Sequence, residues 1–420
     1  MKQQHKATLW QVAFFLFIVK QVCSFTASDP WSDKRKVSSI SSNSKLKASN
    51  EEFSIKLYSL LADGNGSNLV FSPLSIYTAL AMLRTGAKSK CKKQMEDVLG
   101  FSNITDIDTV LKELSDNLHE ESHNLEISNK AWLQKWFCFT QCRKFVRQIK
   151  GLFHSELEEV NFYGDAEKAV TTINRWAYNR SKGRIQNLIQ KEKISWNTRL
   201  ILTNVIFFKN GWKQMFLPKY TRQEPFEALV NNKPVHKAVP TMFTFGMFRF
   251  FDGHQGAFGA VELPYKDENF AMIILLPHSA SSFVDVEKSI SSSLITNVLE
   301  GLKSQQERDV LLSMPKFSIA AALTLNGVLK TMGITDVFDR DLADLSNILG
   351  FKGMFVSDVR HETVLKIDER GTEAAGGSAV SSGDLNLSEF IMNRPFIFFI
   401  RHGPTNSIVF MGKVTDPSSL

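Results

Sequence analysis

A histidine pair at zinc-binding spacing is the first arrangement in this 420-residue chain whose residue types could do chemistry. The segment from His119 to His123 reads H-E-E-S-H, and on a helix this spacing places two imidazoles on one face with a glutamate as general base. The flanking residues are polar, whereas a catalytic zinc helix lies buried beneath a sheet. A solvated helix end is therefore the favoured interpretation and a zinc protease the least favoured one, and we expect no metal site.

Other catalytic signatures are missing from the sequence. It contains no G-x-S-x-G elbow, no Walker loop and no G-x-G-x-x-G fingerprint, and its cysteines lack the glycine-rich context of a cysteine protease. We therefore predict that the protein is not an enzyme and has no catalytic residues.

A predicted helix over residues 137–152 is basic on one face. This pattern is typical of an ordinary charged helix face, and alternatively it could bind a sulfated glycan. The formal net charge of +7 is mild for a chain of this length and does not indicate nucleic-acid binding. No other cofactor is expected. The basic residues on this face are Arg143, Lys144, Arg147 and Lys150.

The first 24 residues have the pattern of a secretory signal peptide. Lys2 and Lys6 precede an apolar run over residues 9–19, and small residues near Ser24 suit a signal peptidase. The run is too short to span a membrane. We expect cleavage after Ser24, a disordered Ser- and Lys-rich arm over residues 25–49, and a secreted protein in the extracellular space without a membrane partner.

Cysteines and glycosylation motifs fit this setting. Once Cys23 leaves with the signal, the three remaining thiols, Cys91, Cys138 and Cys142, allow at most one disulfide. Cys138 and Cys142 could form it only if their segment is extended or bent, because the geometry is strained on a regular helix. Glycan acceptor motifs occur at Asn65, Asn103 and Asn179, with a fourth at Asn386.

The stretch over residues 359–387 combines a strand with an unusual loop. Residues 359–368 alternate between apolar and charged positions, which predicts a half-buried strand with His361 on the inward face. Gly371 breaks the pattern, and almost every residue from Thr372 to Ser382 is small. That segment reads as an ordinary flexible loop by composition, yet it would also fit between two strands without a clash. Both interpretations remain open on the residues alone.

The remaining patterns indicate one mixed α/β domain over residues 50–420. Ser72 followed by Pro73 predicts the start of a core helix, because serine caps helices and proline suits their first position. Residues 200–209 are apolar on both faces and predict a central strand, in which Asn204 requires hydrogen-bond partners if it is buried. A helix is predicted from residue 49 to residue 64 with Asn50 as its cap.

Several separated segments, taken together and in order, resemble the serpins, a family of serine protease inhibitors, from about residue 50 to residue 417. The resemblance implies a fold with three β-sheets, about nine helices and an exposed reactive-centre loop at about residues 369–390. The matching segments are residues 68–82, 203–212, 314–317, 332–338, 361–375, 390–400 and 410–414.

The resemblance also implies roles for particular residues. It places two clusters in the main sheet, called the shutter and the breach, and a hinge at the start of the reactive loop. Lys316 and Glu369 match a pair that the family places as a salt bridge at the top of the sheet. The shutter and breach residues are Ser72, Ser75, Asn204, Trp212, Lys316 and His361, and the hinge residues are Glu369, Gly371, Thr372, Glu373, Ala374, Ala375 and Gly376.

The predicted position of the reactive bond depends on the end of the loop from which residues are counted. Counting from the hinge gives Leu385-Asn386, whereas counting back from Arg394-Pro395 gives Asp384-Leu385. We favour Leu385 as the specificity residue, which would suit chymotrypsin-, elastase- or cathepsin G-like proteases. A glycan on Asn386 would block the protease sterically.

What the resemblance implies is a monomeric suicide inhibitor. An extracellular serine protease would cleave the loop and form a covalent acyl-enzyme, and the freed segment Thr372–Ser382 would enter the main sheet. Gly376-Gly377 departs from the family pattern, and glycine weakens a strand and would slow insertion. The alternative is a non-inhibitory serpin that acts as a secreted binding or carrier protein.

Overall fold

The computed structural model describes residues 30–62, 66–120, 124–138, 140–230, 233–252, 256–372 and 388–418. The chain divides into two units, Met1–Ser44 and Lys45–Leu420. In the first unit the described residues, 30–44, are helical. The second unit contains all the strands described below. Among the described residues, no helix is both long and apolar enough to cross a membrane.

Ten α-helices occur in the described part of the chain. The second is buried at every residue, because it is apolar almost all round and lies in the core. The helices are α1 Pro30–Ala62, α2 Pro73–Gly86, α3 Ser89–Val98, α4 Ile107–Glu120, α5 Thr140–Phe153, α6 Ala166–Arg180, α7 Phe283–Lys288, α8 Ser292–Ser304, α9 Asn326–Met332 and α10 Ser346–Leu349.

The strands form a nine-stranded, a five-stranded and a two-stranded sheet. They are β1 Leu69–Phe71, β2 Leu125–Gln134, β3 Glu156–Val160, β4 Leu200–Phe208, β5 Asn210–Gly211, β6 Arg222–Val230, β7 Lys233–Asp252, β8 Phe258–Pro264, β9 Phe270–Pro277, β10 Arg308–Pro315, β11 Phe317–Thr324, β12 Val356–Ile367, β13 Gly371–Thr372, β14 Ser388–Ile391, β15 Phe396–His402 and β16 Ser407–Val414.

The five-stranded sheet carries most of the predicted site. Its order is β11-β12-β4-β2-β3, and β12 pairs with β4 in parallel while β11 and β2 are antiparallel to these central strands. One face packs on the main core, which includes Leu202 and Leu365, and the other packs on a smaller cluster that includes Trp132 and Ile173 of α6. A sheet covered on both faces explains why the sequence of β4 is apolar throughout.

The start of α1 differs from the prediction. The helix runs without interruption from Pro30, so Asn50 is not its cap and residues 30–49, expected to be a disordered arm, are helical. Within the second unit the physical reason is tertiary contact. Leu46 is buried in the core, and the Ser49 hydroxyl donates to the carbonyl of Gly100 at 3.0 Å. These contacts stabilise helical turns that the polar composition disfavours.

The predicted fold class is otherwise confirmed. The chain forms a mixed α/β structure with three sheets, and its ten α-helices in the described part compare with about nine expected. The Ser72 cap is present, because its hydroxyl accepts the backbone N–H of Ser75 and Pro73 occupies the first turn.

Candidate functional site

A buried polar network joins α2 to the middle of the five-stranded sheet. The Ser75 hydroxyl donates to Asn204 Oδ1 at 2.7 Å, and Asn204 Nδ2 donates back to the carbonyl of Ser75 at 3.2 Å. His361 Nε2 accepts the backbone N–H of Ser72 at 3.0 Å, and its Nδ1 contacts Asn204 Oδ1. Four of the residues that the resemblance implied, the shutter residues Ser72, Ser75, Asn204 and His361, therefore lie in one connected network. Each is at most 2 % exposed.

The hydrogen-bond partners fix the protonation state of His361. A backbone N–H can only donate, so Nε2 must carry a lone pair, and Nδ1 must carry the proton that faces Asn204 Oδ1. Complete burial lowers the pKa of His361 to about 3, because the charged imidazolium would lose its hydration. The ring is therefore neutral at physiological pH.

Two members of this network were not predicted. Asn129 of β2 donates to Thr78 Oγ1 at 3.0 Å and accepts from Asn204 Nδ2, so β2 is linked to β4 and α2. Thr78 lies one helical turn after Ser75, which is a sequence signal that could have identified it. Asn129 lies beside Asn204 only through the register of two strands, which one sequence does not reveal.

A second cluster lies at one end of the same sheet. Lys316 Nζ is 2.9 Å from Glu369 Oε2, and the Thr221 hydroxyl donates to Glu369 Oε1 at 2.8 Å. Burial alone would raise the pKa of Glu369, but the hydrogen bonds from Lys316 and Thr221 outweigh it and hold that pKa below its usual value. The predicted salt bridge is therefore present, with Thr221 as an additional partner.

Trp212 connects this cluster to the turn after β12. Its indole Nε1 donates to the carbonyl of Asp368 at 3.0 Å, and its backbone N–H donates to the carbonyl of Arg370 at 3.2 Å. The ring stacks on Tyr265 with 4.5 Å between centroids. Trp212 thus holds the two residues on either side of Glu369, the first predicted hinge residue.

Gly371, the next predicted hinge residue after Glu369, has a backbone conformation that other residues rarely adopt. Its φ is +111°, and a Cβ at this position would lie 2.5 Å from the carbonyl oxygen of Asn210. Gly371 and Thr372 pair antiparallel with Gly211 and Asn210 of β5, which is separated from the end of β4 by one residue. The other hinge residues, Glu373, Ala374, Ala375 and Gly376, and the reactive-bond residues Asp384, Leu385 and Asn386 lie outside the described residues.

The two central strands pair over only part of their length. The ladder between β4 and β12 runs from Leu200 and Val356 to Ile206 and Thr363. In the described part of the sheet, residues 364–367 of β12 pair only with β11. We call the boundary between β4 and β12 the seam. At the end of the sheet where the hinge lies, the two strands are therefore not hydrogen-bonded to each other across this seam.

A half-buried acid beside the seam was also missed. Glu362 lies opposite Val205 across the seam, and its Oε2 has no partner among the residues that the structure describes. Burial raises the pKa of Glu362 to about 7. The sequence placed this glutamate on the outward face of a half-exposed strand, and the covering of that face by α6 was not predictable from alternation.

The remaining predicted features are placed as follows. Cys138 and Cys142 form a disulfide with 5.1 Å between Cα atoms, which is feasible because Cys138 precedes the regular turns of α5.

Asn103 and Asn179 are exposed, whereas Asn65 and Asn386 lie outside the described residues. His119 ends up near the end of α4 and stacks on His154, and the rest of its H-E-x-x-H motif after Glu120 lies outside the description.

Comparisons with known proteins agree with this geometry. Residues 48–417 match the family model described as "Serpin (serine protease inhibitor)". Human serpin B3 is 31% identical over 394 residues, with 89% of this chain and 99% of that protein covered. Human antithrombin-III is 31% identical over 395 residues, with coverages of 89% and 82%. The crystal structure of human thyroxine-binding globulin complexed with its ligand has 28% identity and a TM-score of 0.79, with coverages of 90% and 99%. The chain therefore belongs to the serpins, a family of serine protease inhibitors rather than enzymes.

Proposed function

We propose that this serpin is a secreted suicide inhibitor that traps serine proteases by inserting its cleaved loop between β4 and β12. The observation that carries the proposal is the pairing of Gly371-Thr372 with Asn210-Gly211. These two hinge residues run antiparallel to the continuation of β4, at the end where the seam is parted. A strand that continued from Thr372 in the same direction would enter that seam.

The registers on the two sides of the seam support insertion. Gly371 pairs with Asp368 across the turn and with Gly211 across the hinge. Extending either antiparallel pairing by seven residues brings Ser378 opposite His361 on one side and opposite Asn204 on the other. These two residues already face each other across the seam. The two extensions therefore agree on a single register for the inserted strand. In that register, the inward positions from Thr372 to Ser382 would carry only small side chains and Val380.

Insertion would be driven by backbone hydrogen bonds. One parallel ladder over residues 200–206 would be replaced by two antiparallel ladders of about ten residues each. At about 1 kcal/mol net for each added bond, the gain is on the order of 10 kcal/mol. Thr372, Ala374 and Ala375 must be small for this step, and the glycines Gly376 and Gly377 would slow it.

The covalent step follows from the chemistry of serine proteases. The protease serine oxygen attacks the carbonyl of Leu385, the bond to Asn386 breaks, and the new amine leaves with a proton. The ester then holds the protease on Leu385 while the loop enters the sheet. Displacement of the acyl group from the oxyanion hole would stop the attack of water that normally completes the reaction.

Specificity rests on the residue at the reactive bond. Leu385 would enter an apolar pocket, which favours chymotrypsin-, elastase- or cathepsin G-like proteases. Cleavage at Asp384-Leu385 would instead require an Asp-specific protease. A glycan at Asn386 would obstruct either bond.

Secretion is part of the proposal. The signal-like pattern of residues 1–24 and the Cys138–Cys142 disulfide both support it, because disulfides persist mainly in oxidising compartments. The exposure of Asn103 and Asn179 is compatible with glycosylation there. Mass analysis of the secreted protein would detect both the processed N-terminus and the glycans.

The decisive experiment is incubation with chymotrypsin, neutrophil elastase and cathepsin G. The proposal predicts an SDS-stable complex with at least one of them and a released C-terminal peptide that begins at Asn386. A peptide beginning at Leu385 would show that the protease cleaves the alternative bond, Asp384-Leu385. Cleavage without any complex would favour the alternative, a non-inhibitory serpin that acts as a binding protein; one similar structure, thyroxine-binding globulin, is named for the ligand that it binds.

A further inference from the structure

A carboxyl group at the seam of the five-stranded sheet has no hydrogen-bond donor. Glu362 Oε2 is shielded from solvent and has no partner among the residues that the structure describes. Its neighbours across the two ladders are Val205 of β4 and Ala322 of β11, whose side chains cannot donate. An ionised carboxylate in this position is unfavourable, because it loses hydration without gaining a hydrogen bond.

The cover over this carboxyl is apolar. Val205 belongs to the smaller cluster of the sheet, together with Ile173 of α6 and Leu188 of the segment after α6. Val364 lies two residues after Glu362, on the same face of β12, and packs against the same cluster. The Glu362 carboxyl therefore lies at the border between the seam and this cluster.

The charged residues of the sheet itself do not pair with Glu362. On the same face of β12, Arg360 Nη2 lies 2.6 Å from Asp358 Oδ2, and Lys366 Nζ lies 3.4 Å from Asp368 Oδ2. The neighbouring strands β4 and β11 contain no charged residue. Within the sheet, the cations closest along β12 thus have acidic partners of their own.

The charged residues of the covering segment are also directed elsewhere. Arg180 of α6 lies 3.2 Å from Glu126 of β2, and the Arg184 guanidinium lies 4.9 Å from the centroid of Phe207. Burial without a compensating cation raises the pKa of Glu362 to about 7. The remaining charged residues of α6 are exposed, and they are Glu167, Lys168 and Arg175.

Insertion of a strand would uncover the carboxyl. A new strand between β4 and β12 moves Val205 away from Glu362 by one strand spacing, about 5 Å. The apolar cover is divided at the same time, because Val205 lies on one side of the seam and Val364 on the other. Water therefore reaches the Glu362 carboxyl while the seam is open.

We infer that the Glu362 carboxyl is a pH-sensitive switch on loop insertion, which makes this serpin an efficient inhibitor at neutral pH and mainly a substrate in acidic surroundings. The inference rests on the proposed function. The protonated carboxyl is tolerated beneath the apolar cover, so the closed seam is favoured. The ionised carboxylate favours the hydrated, open seam, so the cleaved loop enters faster. Slow insertion leaves time for water to hydrolyse the acyl-enzyme ester, and the protease is then released active.

The direction of the effect follows from which state binds the proton. Between the ordinary carboxyl pKa and about 7, the closed seam keeps a proton that the open seam has lost. Opening therefore becomes easier as the pH rises through this range, and the effect levels off above it. Complete hydration of the carboxyl would accelerate insertion on the order of 30-fold from pH 5.5 to pH 8. Because hydration is incomplete when the seam first opens, we expect at least about a fivefold acceleration.

The test measures insertion without a protease, since the activity of a serine protease itself depends on pH. The probe is a synthetic peptide with the sequence of residues 372–382, with blocked ends and with Glu373→Gln so that it does not titrate. Its rate of incorporation at pH 5.5 and pH 8 is followed by the gain in unfolding temperature. The proteins are the wild type, Glu362→Gln and the matched control Glu300→Gln, which changes an exposed glutamate of α8.

The wild type and the Glu300→Gln control should incorporate the peptide at least fivefold faster at pH 8 than at pH 5.5. The rates of Glu362→Gln should agree within twofold, because an amide does not titrate. Wild-type rates within twofold of each other, faster incorporation at pH 5.5, or an unchanged pH dependence in Glu362→Gln would overturn the inference. A protein that neither incorporates the peptide at any pH nor forms a complex with chymotrypsin would refute the proposed function as well, whereas pH-independent incorporation refutes only the switch.

Discussion

Protonation of His361 provides a quantitative test of the buried network. Its pKa is about 3 in the folded protein and about 6.5 in an unfolded chain. Below pH 6.5 the unfolded state therefore binds a proton that the folded state rejects. The contribution of the neutral His361 ring to the unfolding free energy is therefore complete above pH 6.5 and is lost as the pH falls towards the folded pKa. Lowering the pH from 7.5 to 5.0 should thus cost about 2 kcal/mol of unfolding free energy from this residue alone.

The measurement is a denaturant unfolding series at pH 7.5 and 5.0 for the wild type and for His361→Gln. Other titrating groups contribute equally to both proteins, so the difference between the two pH dependences isolates His361. Gln retains an acceptor for the Ser72 N–H and a donor for Asn204. We expect the pH-induced loss to be about 2 kcal/mol smaller in the variant.

A difference below about 0.5 kcal/mol would contradict the argument, because it would mean that His361 titrates normally in the folded state. A second readout does not depend on how well the variant folds. In the wild-type protein, the imidazole NMR signals of His361 should not change between pH 7.5 and pH 5.0. A midpoint near pH 6.5 would show that the ring is hydrated and not held by Ser72 and Asn204.

Three further substitutions test the seam and the hinge. Thr372→Arg should convert the inhibitor into a substrate, because a long charged side chain cannot enter the inward face of the sheet. The fraction of protease in SDS-stable complexes should fall at least tenfold, and an unchanged stoichiometry of inhibition would exclude insertion. Gly371→Ala should lower the unfolding free energy by about 1–3 kcal/mol, because the alanine Cβ would lie 2.5 Å from the Asn210 carbonyl oxygen at a φ of +111°. An unchanged melting temperature would show that residue 371 does not pair with Gly211 in this conformation. Glu362→Gln should stabilise the protein at pH 8 by about 1 kcal/mol after allowance for partial hydration, and much less at pH 5. With a raised pKa of about 7, the folded state keeps a proton that the unfolded state has already lost, so the protein loses stability as the pH rises from the ordinary carboxyl pKa to about 7. Equal effects at both pH values would refute the burial argument.

Much of the five-stranded sheet was predictable because alternation fixes which residues share a face. The pattern of residues 359–367 placed His361 and Leu365 inward, and both are fully buried. The apolar sequence of β4 likewise predicted a central strand, and its single amide at Asn204 pointed to a buried polar network. These features depend on local sequence, so they can be read from one chain.

Features that depend on contacts between distant segments were harder to predict from the sequence. The continuation of α1 ahead of residue 49 relies on Ser49 meeting Gly100, 51 residues away. The role of Asn129 relies on its register with Asn204. Glu362 looked like a solvated outward residue until α6 was seen to cover that face. In each case the deciding partner lies far along the chain, where no local periodicity reports it.

The most direct test of insertion compares the melting temperatures of the intact protein and of protein nicked in the reactive loop. Two antiparallel ladders in place of one parallel ladder should add on the order of 10 kcal/mol, which for a domain of this size corresponds to a rise of roughly 10 °C or more. An unchanged melting temperature after complete cleavage would mean that the loop stays outside the sheet, and the trapping mechanism would then be wrong.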